Sequence, residues 1–155
     1  MKIISNMIEA HIFRESDKGI EFLLLKRSEK EIYPGLWQMV TGKIHEGEKA
    51  YEAALREIKE ETGLVPERFW VAPNVNQFYS HEGNYISLMP VFAAKAGNKF
   101  DVIMCDEHCD CKWVTPEEAK KLLAWPGQRK SVDIIVEYIT KEISFLNFTE
   151  IKINM

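Results

Sequence analysis

The chain has 155 residues, of which 46% are hydrophobic, and its formal net charge at pH 7 is −4. This length suits one domain with a full core, so we predict a single domain over residues 1–155. The acidic balance, with charges of both signs interspersed, argues against a nucleic-acid-binding surface. No apolar run approaches the ~20 residues of a membrane span and the N-terminus lacks an apolar signal core, so we expect a cytoplasmic protein.

The first forty residues predict three strands. β-branched and apolar residues over Met1–Phe13 predict an opening strand. Turn residues at Ser16–Gly19 predict a hairpin into a buried strand over Glu21–Arg27. The polar stretch 28–35, which contains a Pro-Gly pair, predicts a loop, and Leu36–Thr41 reads as a further strand.

A helix is predicted over Lys49–Thr62, because nearly all of these residues are strong helix formers. Gly63 stands where a left-handed C-cap would end that helix. Apolar residues at 3–4 spacing give the helix one face that can pack on a sheet; these are Ala50, Ala53, Ala54 and Ile58.

Strand residues return after this helix. Phe69–Val75 and Gln77–Ser80 predict strands, and a turn at His81–Asn84 leads into a long apolar strand over Tyr85–Lys95. Pro90 predicts that this strand lies at an edge of the sheet or carries a bulge, because proline has no N–H to donate.

The C-terminal part predicts mostly helix. Asp101–Asp110 is mixed and partly loop, and Cys111–Val114 predicts a strand. Thr115 is a predicted N-cap, followed by Pro at the first helical position, for a helix to about residue 124. A second helix is predicted over Gln128–Phe145, and the tail from residue 147 is left unplaced. Strands and helices mixed in this way predict an α/β fold with a mixed sheet covered by helices.

Three cysteines lie close together at Cys105, Cys109 and Cys111, with His108 among them. An odd number of cysteines within seven residues is not a disulfide framework. A zinc site is conceivable, but the spacing lacks the paired C-x2-C knuckles of structural zinc sites, so we expect free thiols.

Three carboxylates are concentrated on the predicted helix at Lys49–Thr62. Glu57, Glu60 and Glu61 stand at i, i+3 and i+4, which places them on one face. Like charges this close repel one another unless a cation or solvent separates them. Oxygen-only clusters suit Mg²⁺ or Mn²⁺; the alternative interpretation is a solvated acidic helix surface.

The spacing around these carboxylates favours the metal. Residues Gly42–Leu64 match the pattern G-x5-E-x7-R-E-U-x-E-E-x-G-U, where U is aliphatic, at every fixed position. This pattern resembles the box of the Nudix hydrolases. The resemblance implies a Nudix fold, an α/β/α sandwich around a mixed β-sheet, over nearly the whole chain. It also implies a hydrolase acting on phosphoanhydride bonds.

The resemblance further implies roles for individual residues. Glu57, Glu60 and Glu61, with the carbonyl of Gly42, would bind Mg²⁺, for which Mn²⁺ can substitute. Arg56 and Glu48 occupy box positions that pair with each other and hold the loop against the helix. The planar guanidinium suits such a bidentate contact with a carboxylate.

Two further groups outside the box are candidates for the site. Many Nudix enzymes use one more carboxylate as metal ligand or general base, and here we predict Glu107, with the weaker rivals Asp106, Glu82 and Glu46. Lys26 and Arg27 end a predicted strand and could bind substrate phosphate oxygens. In both cases the alternative is an ordinary solvated charge.

The box leaves the substrate open. Outside it, Leu36–Glu48, Asp106–Val114 and Trp125–Ile139 resemble the branch that hydrolyses dihydroneopterin triphosphate or dATP. This implies a nucleoside or pterin triphosphate as substrate. Diadenosine polyphosphate hydrolases usually carry Pro just before the first box Gly, whereas Thr41 stands there, which lowers the weight of such a substrate.

A planar base or pterin would stack on aromatic side chains in a cleft. Trp37 is one candidate, and the amide of Gln38 could hydrogen-bond a ring edge. Further candidates are Tyr33, Asn76, Phe78, Tyr79, Tyr85 and Trp125.

Three other functions remain open. The chain could hydrolyse another diphosphate, such as a nucleotide sugar or a dinucleoside polyphosphate. It could be a non-catalytic nucleotide-binding module, although the intact acidic motif argues against this. Processing of RNA 5′ ends uses the same chemistry, but the acidic net charge disfavours it.

A homodimer is possible, and no heptad decides the matter.

Overall fold

The structure, a computed structural model, describes residues 1–153. Asn154 and Met155, the end of the tail left unplaced above, lie outside the described residues. The strands are β1 (Lys2–Ile4), β2 (Met7–Ser16), β3 (Gly19–Arg27), β4 (Trp37–Gln38), β5 (Val40–Lys43), β6 (Arg68–Ser80), β7 (Tyr85–Lys95) and β8 (His108–Val114). The helices are α1 (Ala50–Thr62), α2 (Pro116–Leu122), α3 (Pro126–Thr140) and α4 (Ile143–Leu146).

The strands form one mixed sheet. Its main path runs β1-β7-β2-β3-β4; β5 pairs with β2, β6 with β7 and β8 with β3. β7 is parallel to β1 and β2, whereas the other pairs are antiparallel. Alternation along β2 buries Ile8, Ala10 and Ile12 under α1, and Phe13 in the core on the opposite face, beneath α2 and α3. The α/β/α sandwich predicted from the family resemblance is confirmed.

Helix α1 has the ends that the sequence predicts, within one residue. The Glu52 carboxylate accepts a hydrogen bond from the Lys49 N–H (2.9 Å), which satisfies a free donor at the N-terminus. Gly63 has a φ of 80°, and its N–H donates to the Lys59 carbonyl (2.8 Å). The helix therefore starts and stops by local chemistry alone.

Pro90 lies inside the sheet, so its predicted edge position is wrong and the predicted bulge is confirmed. β7 is flanked by β6 on one side and by β1 and then β2 on the other. Pro90 pairs with Val75, where β6 carries extra residues after Val71. It also stands where the other neighbour changes from β1 to β2, so its missing N–H leaves no gap in a regular ladder.

Several predicted strands are divided differently. The opening strand splits into β1 and β2 at Ser5–Asn6; both pair with β7, and β2 also pairs with β3 and β5. The strand at Leu36–Thr41 splits into β4 and β5 at Met39, because β4 pairs with β3 and β5 with β2. The two strands predicted before residue 80 are one strand, β6. β8 begins at His108, three residues early, because it follows the edge of β3 to Arg27.

The C-terminal helices also differ from prediction. The predicted cap at Thr115 is confirmed: Glu118 N–H donates to the Thr115 hydroxyl at 3.2 Å. The helix expected to reach Phe145 stops at Thr140 and is followed by α4. The tail joins the sheet, where the Ile151 N–H donates to the Phe69 carbonyl (2.8 Å). Among residues 1–153, no helix is long and apolar enough to cross a membrane.

Candidate active site

Strand β5 and helix α1 meet at Gly42. A Cβ built on Gly42 would lie 2.2 Å from Cδ and 2.6 Å from Oε1 of Glu57. The strand backbone therefore rests directly on the Glu57 side chain, and only glycine leaves room for it. This contact places the Gly42 backbone beside the first of the three box carboxylates.

Arg56 ties the loop before α1 to the acidic face of the helix. Its Nε and Nη2 donate to the two carboxylate oxygens of Glu48 at 2.8 and 3.0 Å, and Nη2 also donates to the Lys43 carbonyl at 2.8 Å. Nη1 donates to Glu57 (2.7 Å) and Glu60 (3.2 Å). The hydrogen bonds from Arg56 lower the pKa of Glu48 to about 2. One guanidinium thus contacts three carboxylates and fixes their positions.

Glu61 is the unusual member of the acidic face. Its side chain is only 2% exposed, and neither carboxylate oxygen has a hydrogen-bond partner among residues 1–153. Burial, together with the nearby Glu57 carboxylate, raises the pKa of Glu61 to about 10. A buried carboxyl without partners is costly when ionised, so this group needs either a proton or a cation.

Glu107 lies in the turn before β8, close enough to Glu57, Glu60 and Glu61 for their charges to act on one another. Partial burial and the charges of Glu31 and Glu57 raise the pKa of Glu107 above its ordinary value. The Glu107 carbonyl accepts a hydrogen bond from the Ser28 N–H (2.9 Å), which anchors the turn to the end of β3. The structure thus brings the predicted extra carboxylate next to the box helix.

The four predicted substrate-binding residues divide between the two faces of the sheet. Arg27 lies on the α1 face, where its charge opposes the raised pKa of Glu61. Gln38 is on that face too, opposite Leu25. Lys26 and Trp37 pair with each other on the other face, where Trp37 packs against the core beneath α2 and α3. Of the four, Arg27 and Gln38 therefore share the face of the sheet on which the carboxylates lie.

His108 is a site residue that the sequence reasoning missed. Its Nε2 lies 3.5 Å from Glu61 Oε1 and 3.3 Å from the Gln38 amide nitrogen, and its Nδ1 lies 3.8 Å from Cys105 Sγ. Burial, with a smaller effect of Arg27, lowers the pKa of His108 to about 4, so the ring is neutral. All three cysteines are free thiols. Only the pairing of His108 with Arg27 across β3 and β8 could have revealed this contact.

The chemistry of this site fits a hard divalent cation. Its donors are carboxylates, and Glu61 offers two oxygens that no group in the described chain satisfies. Within residues 1–153, no three His, Cys, Asp or Glu side chains are already grouped as ligands. Two of the candidate ligands, Glu57 and Glu60, accept hydrogen bonds from Arg56 instead.

Comparisons with known proteins identify the family and the fold of this chain. The family model described as the NUDIX domain matches residues 7–133. The chain is 34% identical over 113 residues to the asymmetrical bis(5′-nucleosyl)-tetraphosphatase of Caenorhabditis elegans, covering 72% of this chain and 79% of that protein. It is 30% identical over 106 residues to the nucleoside triphosphatase NudI of Salmonella arizonae, covering 63% and 74%. The structure of the E. coli dihydroneopterin triphosphate pyrophosphohydrolase shares the fold, with a TM-score of 0.70, 23% identity and coverage of 84% and 93%.

Proposed function

The chain belongs to the NUDIX domain family and is a hydrolase of phosphoanhydride bonds, and we propose that it cleaves a nucleoside or pterin triphosphate to the monophosphate and pyrophosphate with Mg²⁺. The observation that supports this proposal most is the state of Glu61. Its buried carboxyl, with both oxygens unsatisfied within the described chain, lies beside the Glu57 carboxylate and near Glu107. A divalent cation would supply the missing partner.

Glu57, Glu60, Glu61 and Glu107, with the Gly42 carbonyl, are the residues that would hold Mg²⁺. When bound, Mg²⁺ offsets the charge of the diphosphate and lowers the pKa of a water molecule. Arg56 donates to Glu57 and Glu60 through Nη1, so these two carboxylates would exchange that contact for the cation. The bidentate contact of Arg56 with Glu48 uses Nε and Nη2 and holds the loop against α1.

The protein's own residues provide the remaining chemistry. Water adds in line to one phosphorus, the anhydride P–O bond breaks, and pyrophosphate leaves with the bridging oxygen. Glu107 is our candidate for the carboxylate that accepts the proton from water, because its raised pKa brings it closer to neutral pH. Arg27, whose charge acts on Glu61 and Glu107, is our candidate for binding a phosphate oxygen.

The choice of a triphosphate rests on likeness to relatives. One relative is named a nucleoside triphosphatase, and a structure of the same fold is that of a pterin triphosphate pyrophosphohydrolase. Lys26 and Trp37 lie on the opposite face of the sheet from the carboxylates, so we leave them out of the proposed substrate contacts. The Gln38 amide is within 3.3 Å of His108, so a contact of Gln38 with a ring edge stays a proposal.

A dinucleoside polyphosphate is the second candidate substrate. The relative of 34% identity is named as a tetraphosphatase of bis(5′-nucleosyl) compounds. Thr41, where such enzymes usually have Pro, weighs against this substrate. The two candidates differ in their products, since a triphosphate gives pyrophosphate and a dinucleoside tetraphosphate gives a nucleoside triphosphate and a monophosphate.

The test is a product analysis across a panel of diphosphate compounds with Mg²⁺. The panel contains nucleoside triphosphates, dihydroneopterin triphosphate, nucleotide sugars and dinucleoside polyphosphates. Glu60→Gln is the active-site variant, and Glu137→Gln, an exposed helical glutamate on α3, is the matched control. We expect pyrophosphate from triphosphates, a loss of roughly 100-fold or more in Glu60→Gln, and an unchanged rate in Glu137→Gln.

Other outcomes would redirect the proposal. Nucleoside triphosphate released from dinucleoside tetraphosphates, at a rate above that for any triphosphate, would favour the second candidate. If no compound is hydrolysed although Mg²⁺ binds and Glu60→Gln abolishes that binding, the chain would be a nucleotide-binding module and the proposed activity would be refuted.

A further inference from the structure

The Glu61 carboxyl and the imidazole of His108 face each other in the interior beside α1. The two side chains are 2% and 0% exposed, and His108 Nε2 lies 3.5 Å from Glu61 Oε1. Neither oxygen of Glu61 makes a hydrogen bond within residues 1–153, so this approach is not a hydrogen bond. Two buried polar groups therefore lie side by side, and no hydrogen bond joins them.

The neighbours of the His108 ring decide which of its nitrogens carries the proton. Nε2 lies 3.3 Å from the amide nitrogen of Gln38, which can only donate, so Nε2 is the acceptor in this contact. The ring proton is then on Nδ1, which lies 3.8 Å from the sulfur of Cys105, a weak acceptor. The ring nitrogen next to Glu61 is therefore the unprotonated one.

A cation between the two side chains would satisfy both of them. A buried nitrogen lone pair against a buried carboxylate costs free energy unless a proton or a cation lies between them. Two ligands held at about 2.1 Å from one ion lie roughly 3.0–3.4 Å apart, close to the 3.5 Å between His108 Nε2 and Glu61 Oε1. Imidazole nitrogen suits Fe²⁺, Co²⁺ and Zn²⁺, whereas Mg²⁺ is usually held by oxygen atoms.

We propose that His108 is a nitrogen ligand beside Glu61, and that this pair makes the site bind a transition-metal ion of the class of Fe²⁺, Co²⁺ and Zn²⁺ more tightly than Mg²⁺. The inference rests on the proposed function, in which Glu61 is one of the metal-binding carboxylates. Cys105 is a positioning residue, because its contact with Nδ1 fixes the ring with Nε2 toward Glu61. The carboxylates alone would accept Mg²⁺, so His108 determines which ion is preferred.

The first test is the affinity of the full-length protein for Co²⁺ and for Mg²⁺, measured by calorimetry. We expect Co²⁺ to bind at least about 100-fold more tightly than Mg²⁺. His108→Asn should reduce the ratio of the two affinities at least about tenfold, because it removes the nitrogen ligand. His81→Asn is the matched control, because His81 is exposed in the turn between β6 and β7, and it should leave both affinities unchanged.

The second test is the proton NMR spectrum of the Co²⁺-loaded protein with isotope-labelled histidine. A ligating imidazole gives a paramagnetically shifted, exchangeable N–H signal from its other nitrogen, here Nδ1–H of His108. We expect this signal in the wild type and in His81→Asn, and its loss in His108→Asn. The wild-type spectrum tests the proposal by itself, whether or not His108→Asn folds in thermal unfolding experiments.

Three results would overturn the proposal. If Co²⁺ binds and Glu61→Gln removes that binding, but no shifted N–H signal arises from His108, oxygen ligands alone hold the ion and the proposed function stands. A thiolate-to-Co²⁺ absorption band that Cys105→Ser removes would place the ion at the other ring nitrogen. If the wild type binds neither ion, a proton lies between Glu61 and His108, and the metal site of the proposed function is refuted as well.

Discussion

Gly42→Ala tests the contact between β5 and the box helix. The added Cβ would lie 2.2 Å from Glu57 Cδ, whereas carbon atoms in contact are roughly 3.5 Å apart, so the carboxyl must move by at least about 1 Å. The φ of Gly42 lies outside the left-handed region, so the backbone tolerates alanine and the effect comes from the side-chain clash. A misplacement of about 1 Å in a catalytic group can cost on the order of 100-fold in rate, or about 2.7 kcal/mol of transition-state stabilisation.

The assay is kcat/KM for the best triphosphate, with Mg²⁺ affinity measured by calorimetry and stability by thermal unfolding. We expect kcat/KM to fall about 100-fold and Mg²⁺ to bind more weakly, while the overpacked strand loses roughly 1–3 kcal/mol of stability. Gly97→Ala is the matched control: its Cβ would meet the flexible Glu67 carboxylate at 2.7 Å, away from the box. Wild-type kcat/KM and Mg²⁺ affinity in Gly42→Ala would refute the placement of Glu57 beside Gly42.

Three further predictions concern the groups around the acidic face. In metal-free protein the unfolding free energy should fall as pH rises between about 5 and 9, because folded Glu61 keeps its proton to about pH 10 whereas the unfolded chain releases it near 4.5. Denaturant titrations at several pH values should show this slope. Glu61→Gln should flatten the slope and abolish stabilisation by Mg²⁺. Arg56→Lys keeps the charge but loses the bidentate contact with Glu48, so activity should fall at least about tenfold. Arg68→Lys is the control, because it breaks a similar bidentate contact with Glu150 and should leave kcat unchanged. Equal losses of activity in steady-state assays of the two variants would contradict this prediction. His108→Asn should weaken Mg²⁺ binding about 10–100-fold, because the imidazole packs against Glu61, and an unaltered calorimetric affinity would argue for a purely structural ring.

Features set by neighbours in sequence could be predicted from the residues. Helix α1 ends at Gly63, and α2 begins after Thr115, because capping depends on groups within four residues of one another. The i, i+3, i+4 spacing places Glu57, Glu60 and Glu61 on one face for the same reason. With the motif at Gly42–Leu64, this local information was sufficient for the family and for the α/β/α architecture.

Features set by strand pairing could not be predicted in this way. Glu61 is buried with no hydrogen-bond partner among residues 1–153, and His108 Nε2 lies 3.5 Å from its Oε1. These residues, 47 positions apart, come together because β8 runs beside β3. The division of Arg27 and Gln38 from Lys26 and Trp37 follows from the register of β3 and β4, since a shift of one residue would exchange the faces. Pairing partners and registers depend on packing across the whole sheet, and no short stretch of the chain contains that information.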